Sequence, residues 1–263
     1  MLRNTLLTGF AISGAVAAIL ASPESRAQSP MVSAVAVEGT EIVVALADGR
    51  ALRSTDLVGA TLDVRFEGQP AKLRITGVER DPGDKSGTVW LHTFESRQAD
   101  GTWSNVCPPG PDGRRQGFPL QGQEKGIEFT CSAGAVGKCV RFGYRPWATG
   151  PDGLSLAPQH AACVRMVRGD YGGADQPFTK DGMNIDLHDP QGIQTPDMAA
   201  DQTFEAGWTP EGAVCVHHAR VKENVTLAEL ETRFPRLRGR TGAICTEAFA
   251  RQHGAILLNR SRD

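Results

Sequence analysis

The chain has 263 residues, with 28 Lys plus Arg against 30 Asp plus Glu and a formal net charge of -2. A balance this even carries no basic footprint, so nucleic acid is excluded as an expected partner and nothing directs the protein to an anionic membrane surface. With 30 glycines, 16 prolines and only 6% aromatic residues, the chain is turn-rich and lacks the long periodic runs of a helical bundle.

In chain order, residues 1–4 carry one positive charge, residues 5–20 form an uncharged apolar run, and Ser25-Arg26-Ala27 places small residues where a signal peptidase reads them. Residues 1–27 are therefore expected to be an export signal cut after Ala27, leaving an exported protein, periplasmic or secreted. The apolar run is shorter than the roughly 20 residues that a spanning helix needs, so no stable membrane span is expected after cleavage. No cysteine lies near the cut, which argues against a lipid-anchored form.

Residues 28–106 read as a β-rich domain. The run 41–46 is followed by Asp48-Gly49, a dipeptide that tolerates positive φ at a hairpin turn, and then by a second run over 50–57. Residues 61–66 alternate apolar with polar, Glu67-Gly68-Gln69-Pro70 turns the chain, and 71–78 returns. A loop over 82–87 leads to a strand at 89–94, and Asp100-Gly101 turns into 102–106. Roughly five to seven short antiparallel strands predict a sandwich or barrel.

Residues 107–125 are Pro/Gly-rich and are expected to be a linker or long ordered loop. Residues 126–263 are expected to form a disulfide-stabilised mixed α+β domain, so the fold class is α+β. Strands at 127–130 and 140–144 would flank the loop from Cys131 to Cys139, whose two cysteines are close enough to staple a hairpin. Pro158 starts a helix to about Arg168 with Cys163, Met166 and Val167 on one face, and Gly169 stops it. Thr226-Leu227-Ala228-Glu229 is a capping box for a helix that Pro235 ends. A third helix, 246–253, stops at Gly254, and 255–258 reads as a buried closing strand.

All six cysteines, Cys107, Cys131, Cys139, Cys163, Cys215 and Cys245, follow the leader. An even number in an oxidising compartment implies disulfides, whose pairing the sequence leaves open.

The words Gly137-Lys138-Cys139-Val140-Arg141-Phe142-Gly143-Tyr144, His160-Ala161-Ala162-Cys163 through Gly169-Asp170-Tyr171, and Thr179-Lys180-Asp181-Gly182 resemble the ADYC domain, a bacterial family named for an Ala-Asp-Tyr-Cys motif and without an assigned function. The resemblance runs over about residues 85–220. Here the motif reads Gly169-Asp170-Tyr171-Gly172, without its cysteine. If that cysteine is a nucleophile, this chain is an inactive relative; if it is half of a disulfide, which the even count of six favours, its partner should be missing too, and Phe234 is a candidate for the vacated position.

A zinc site can be drawn from His160, Cys163, Cys215, His217 and His218, but paired metal knuckles are lacking and an oxidised cysteine supplies no thiolate, so no metal is expected. Gly134-Ala135-Val136-Gly137-Lys138 resembles a phosphate loop without the Ser/Thr ending or a following helix. No nucleophile elbow or metalloprotease motif occurs. Asp170 and Tyr171 are expected in a structural network, with Arg141, Arg145, Arg165 and Arg168 available to pair the aspartate. Trp147 and Trp208 are expected to pack in the core or a loop, and Arg233, Arg236, Arg238 and Arg240 to form a solvated face, with contact to a surface polyanion as the alternative. The function expected is a cell-envelope binding or structural module without cofactor, acting on an unknown envelope or extracellular ligand. The alternative is an envelope hydrolase with a site at Asp170, His160 and Asp181.

Overall fold

Alternation of apolar and polar residues builds the front of the molecule. In the strand β2 (Glu41–Leu46), paired on one side with β1 (Val32–Glu38) and on the other with β3 (Ala51–Arg53), the side chains of Ile42, Val44 and Leu46 point inward and are buried. The computed structural model describes residues 31–66, 69–122 and 126–262. The expected leader over 1–27 and the turn residues Glu67 and Gly68 lie outside the described residues.

A second, six-stranded antiparallel sheet contains β4 (Thr61–Phe66), β5 (Gln69–Arg80), β6 (Trp90–Arg97), β7 (Trp103–Asn105), β8 (Gly117–Gln121) and β9 (Ile127–Cys131). Its order is β4-β5-β6-β8-β9, with β7 beside β6. The two sheets face each other across a core of Ile42, Val44, Leu73, Ile75 and Phe94, which gives the expected sandwich.

Two expectations for this part are corrected. The run 50–57 is a strand only to Arg53 and continues as a 3-10 turn, because Ser54 is drawn inward: its hydroxyl accepts from Ile42 N at 2.7 Å and lies 2.8 Å from His92 Nε2. Of the linker or long ordered loop expected over 107–125, residues 107–116 are a loop that Cys107 ties to Cys131, whereas Gly117–Gln121 form β8 of the sheet. Pro119 disguised that strand. It is tolerated because β8 meets β6 only at His92↔Gly117, so its missing N–H interrupts no ladder.

The rear half has a four-stranded antiparallel sheet in the order β10 (Ile185–His188), β13 (Leu257–Ser261), β11 (Thr203–Thr209), β12 (Gly212–Val216). Four α-helices accompany these sheets among the described residues: α1 (Ala135–Arg141), α2 (Ala157–Arg168), α3 (Leu227–Arg233) and α4 (Glu247–Gln252). Helix α2 covers one face of the rear sheet through Ala162, Cys163 and Met166, against Ala206, Trp208 and Leu257. Helix α4 covers the other, where Ala250 and Ala255 lie over Gly207. A Cβ at 207 would stand 2.5 Å from the Ala250 Cβ, so only glycine lets this helix approach. None of the helices among the described residues is long and apolar enough to cross a membrane.

The capping residues act as read. Gly169 ends α2 at φ 61, Thr226 and Glu229 form the reciprocal box at the start of α3, and Thr246 caps α4. The strand expected over 140–144 is a correction: this segment belongs to α1 and its exit. Val136, Cys139 and Val140 stand at i, i+3 and i+4, and α1 packs through Val136 and Val140 on Leu91 and Phe118 of the six-stranded sheet.

His92 couples the two front sheets and gives a pH prediction. It is fully buried, and burial pushes its imidazole down from 6.5 to about 4. Between those values the unfolded chain binds the extra proton and the folded chain does not, so stability falls as pH drops from 6.5 towards 4. The loss from this group should approach about 3 kcal/mol. Denaturant melts of wild type and His92→Gln between pH 4 and 7 should show a shallower pH slope in the variant.

Candidate binding cleft

The three disulfides are Cys107–Cys131, Cys139–Cys163 and Cys215–Cys245. Cys131 and Cys139 therefore do not staple a hairpin. Cys131 lies at the end of β9 and ties back to Cys107, while Cys139 points to the opposite side and joins α1 to α2. Helix α1 can turn so soon after β9 because Gly137 rests against it: a Cβ there would be 2.3 Å from the Cys131 carbonyl oxygen. The stretch Gly134–Lys138, read as a loop lacking a helix, is itself the cap and first turn of α1.

Asp170 and Tyr171 follow α2 and are both buried. The Asp170 carboxylate accepts from Arg165 Nη1 at 2.5 Å and from the backbone N–H groups of Ala174 and Asp175. Of the four arginines expected near it, only Arg165 reaches it. Arg141 pairs with Asp81 at 2.7 Å and Asp112 at 3.1 Å, and Arg145 with Asp84 at 2.6 Å, so both brace loops of the front sheet. Burial raises the Asp84 carboxyl, but hydrogen bonds from Ser86 and from the Val89, Ser86 and Thr88 backbones outweigh it and hold the group well below the carboxylate range. Arg168 donates to the Asp175 carbonyl at 2.9 Å.

Tyr171 belongs to a knot that the sequence did not disclose. Its hydroxyl donates to Glu205 Oε1 at 2.9 Å and accepts from Arg220 N at 2.9 Å. Glu205 and Arg220, both with wholly buried side chains, pair through two parallel hydrogen bonds of 3.0 and 2.9 Å. Arg220 spends its other N–H groups on the Met166 and Val167 carbonyls and Thr179. Asn259 donates to Glu205 at 2.7 Å and accepts from Trp208 Nε1 at 2.8 Å. Burial raises the Glu205 carboxyl and Arg220 more than reverses it, while the Tyr171 phenol is driven up, chiefly by burial. Glu205 and Arg220 lack any local pattern in the sequence; an acid in a strand otherwise apolar, Phe204 to Trp208, was the available signal.

The alternative trio does not converge on one point. His160, near the start of α2, has Nε2 3.2 Å from the Val136 carbonyl oxygen, and burial lowers its imidazole below the ordinary value. Asp170 lies beyond the other end of that helix, ten residues or about 15 Å along its axis. Asp181 is exposed on a loop. Elsewhere, His217 Nδ1 is 3.1 Å from the Cys245 carbonyl oxygen and His218 Nε2 is 3.0 Å from Ser261 Oγ. Trp208 is buried and Trp147 half-exposed, its ring against Gly39.

What the fold does open is a cleft of about 440 Å³ between α1 and the segments 166–168 and 179–187. A neighbouring hollow of about 370 Å³ shares Pro111, Lys138 and Phe142 with it and reaches Asp81, Asp112 and Arg141. Phe142, which lines both hollows, is held at its carbonyl by Gln194, and Asp189 accepts from the Tyr144 hydroxyl at 2.8 Å and from the backbone N–H groups of Gln191 and Gln194. Arg168 and Asp181 come together here, although no pattern in the sequence joined them, and Lys138 and Lys180 join them.

The family model for the ADYC domain matches residues 54–222, more than half of the chain. The chain belongs to the ADYC domain family. The ADYC match starts within the front sandwich and covers both hollows and the Glu205–Arg220 pair, while α3, α4 and β13 lie beyond it. No curated protein and no solved structure matches the chain. At the position of the missing motif cysteine, a Cβ on Gly172 would stand 2.2 Å from the Phe234 ring. The two positions face each other.

Proposed function

We propose that this ADYC-domain protein is an exported module of the cell envelope, braced by its disulfides, that binds a ligand or partner through the cleft at α1 and carries out no reaction of its own. The observation that carries this reading is a division of labour among polar groups. Asp170, Tyr171, Glu205 and Arg220 are buried and consumed by one another and by backbone groups, whereas the open cleft presents Lys138 and Lys180 without an acidic partner within 4 Å among the described residues. Groups saturated in this way position elements, and open unpaired ones are free to meet a ligand. Three disulfides suit an oxidising compartment, in keeping with export of the chain through its first 27 residues.

The test is expression of the full chain in a bacterial host, followed by fractionation, intact-mass measurement and thiol counting. A periplasmic or secreted product cut after Ala27, with no reactive thiol and no turnover of chromogenic esters, phosphates, glycosides or casein, is the expected result. Cytoplasmic retention with free thiols would refute export. Turnover abolished by His160→Gln or Asp181→Asn would restore the hydrolase.

A further inference from the structure

The cleft has a composition that narrows what it can hold. Its floor is apolar, formed by Phe142 at the exit of α1, Val167 of α2 and Ile185 of β10, with the buried Leu187 behind them. Around that floor stand three cations, Lys138, Arg168 and Lys180, against one acid, Asp181. The acids of the neighbouring hollow, Asp81 and Asp112, are both engaged by Arg141. The Nε of Arg168 is buried without a hydrogen-bond partner among the described residues, although one of its terminal nitrogens is held by the Asp175 carbonyl.

From this arrangement we propose that the cleft binds a small, free amphipathic anion, a single carboxylate or comparable acid on an apolar body. The acid would lie at Lys138 and Arg168 with Lys180 at the rim, and the body would cover Phe142, Val167 and Ile185. The volume of about 440 Å³ suits a small organic molecule. A bare inorganic anion would leave the apolar floor wet, and an uncharged apolar molecule would strip water from the cations without replacing it. A nucleic acid strand fits poorly, because the patch offers three cations in a concave site and not a basic track. The proposal rests on the binding reading above and names its ligand class.

Isothermal titration of the exported, disulfide-intact chain with octanoate, acetate and 1-octanol tests it, with phosphatidylglycerol vesicles as a fourth probe. Saturable binding of octanoate alone is expected, weakening as salt is raised. Lys138→Met and Arg168→Met should each weaken it at least ten-fold and Lys180→Gln about three-fold, while Asp181→Asn should tighten it. Because Lys180 lies on an exposed loop, its variant reports on binding even if a change at Arg168 disturbs the fold. Four results would overturn the proposal: no saturable octanoate binding, equal binding of 1-octanol, indifference of binding to all three cation variants, or co-sedimentation with vesicles in place of octanoate binding. Absence of octanoate binding in a chain that is exported, fully oxidised and without turnover removes this ligand class alone; turnover removes the binding reading itself.

Discussion

Arg220→Met should destabilise the protein by about 3–5 kcal/mol, the largest loss expected from any single substitution here. The size follows from what the change leaves behind. Arg220 fills both oxygens of Glu205 and also donates to the Val167 carbonyl at the end of α2, so methionine would strand a buried carboxylate and that carbonyl oxygen together, while the Met166 carbonyl keeps the Gly169 N–H. For a chain of this length the melting temperature should fall by about 10 °C. Glu205→Gln placed on top of Arg220→Met should recover part of the loss, because it removes the stranded charge while the amide still meets Tyr171 and Asn259. Thermal melts of the four members of this double-mutant cycle measure the coupling. Additive losses would show that the pair does not act as a unit.

The second large effect concerns Cys139–Cys163. Replacing both cysteines by alanine should cost about 3 kcal/mol, since the bridge closes a loop of 24 residues in sequence and both side chains sit in the rear core. It should also loosen α1, which forms one wall of the cleft, so octanoate binding should weaken along with stability. The bridges should differ in reactivity. Cys139, Cys163, Cys215 and Cys245 have 0% exposure and Cys131 is partly exposed, so mild reduction of the folded protein should open Cys107–Cys131 first. Timed alkylation with peptide mass spectrometry reads the order directly. Simultaneous opening of all three would mean that reduction proceeds only through global unfolding.

Both predictions concern contacts between segments remote in the chain, and these are what the sequence conveyed least. Local signals were dependable. The Thr226–Glu229 box, Pro158 and Gly169 around α2, Asp48-Gly49 and the alternation in β2 each act within a few residues, where backbone geometry and side-chain chemistry decide the outcome without help from the rest of the chain. Signals failed where a distant contact overrode them. Helix α1 is too short for its period to stand out, and β8 hid behind Pro119. The run after Asp48-Gly49 stopped early because Ser54 is claimed by Ile42 and His92.

The same division holds for the site. The family words, the even cysteine count and an α+β fold could all be read from the order of residues, and a structural part for Asp170 and Tyr171 was the role expected of them. Only the tertiary structure decided that Arg141 and Arg145 serve Asp81 and Asp84, that Tyr171 is joined to Glu205, Arg220 and Asn259, and that Lys138, Arg168 and Lys180 border one cleft. The physical reason is range. A cap or a turn is settled by neighbours in the chain, whereas a buried ion pair or a cleft depends on which surfaces the sheets and bridges bring together, and charge in the sequence carries no address for its partner.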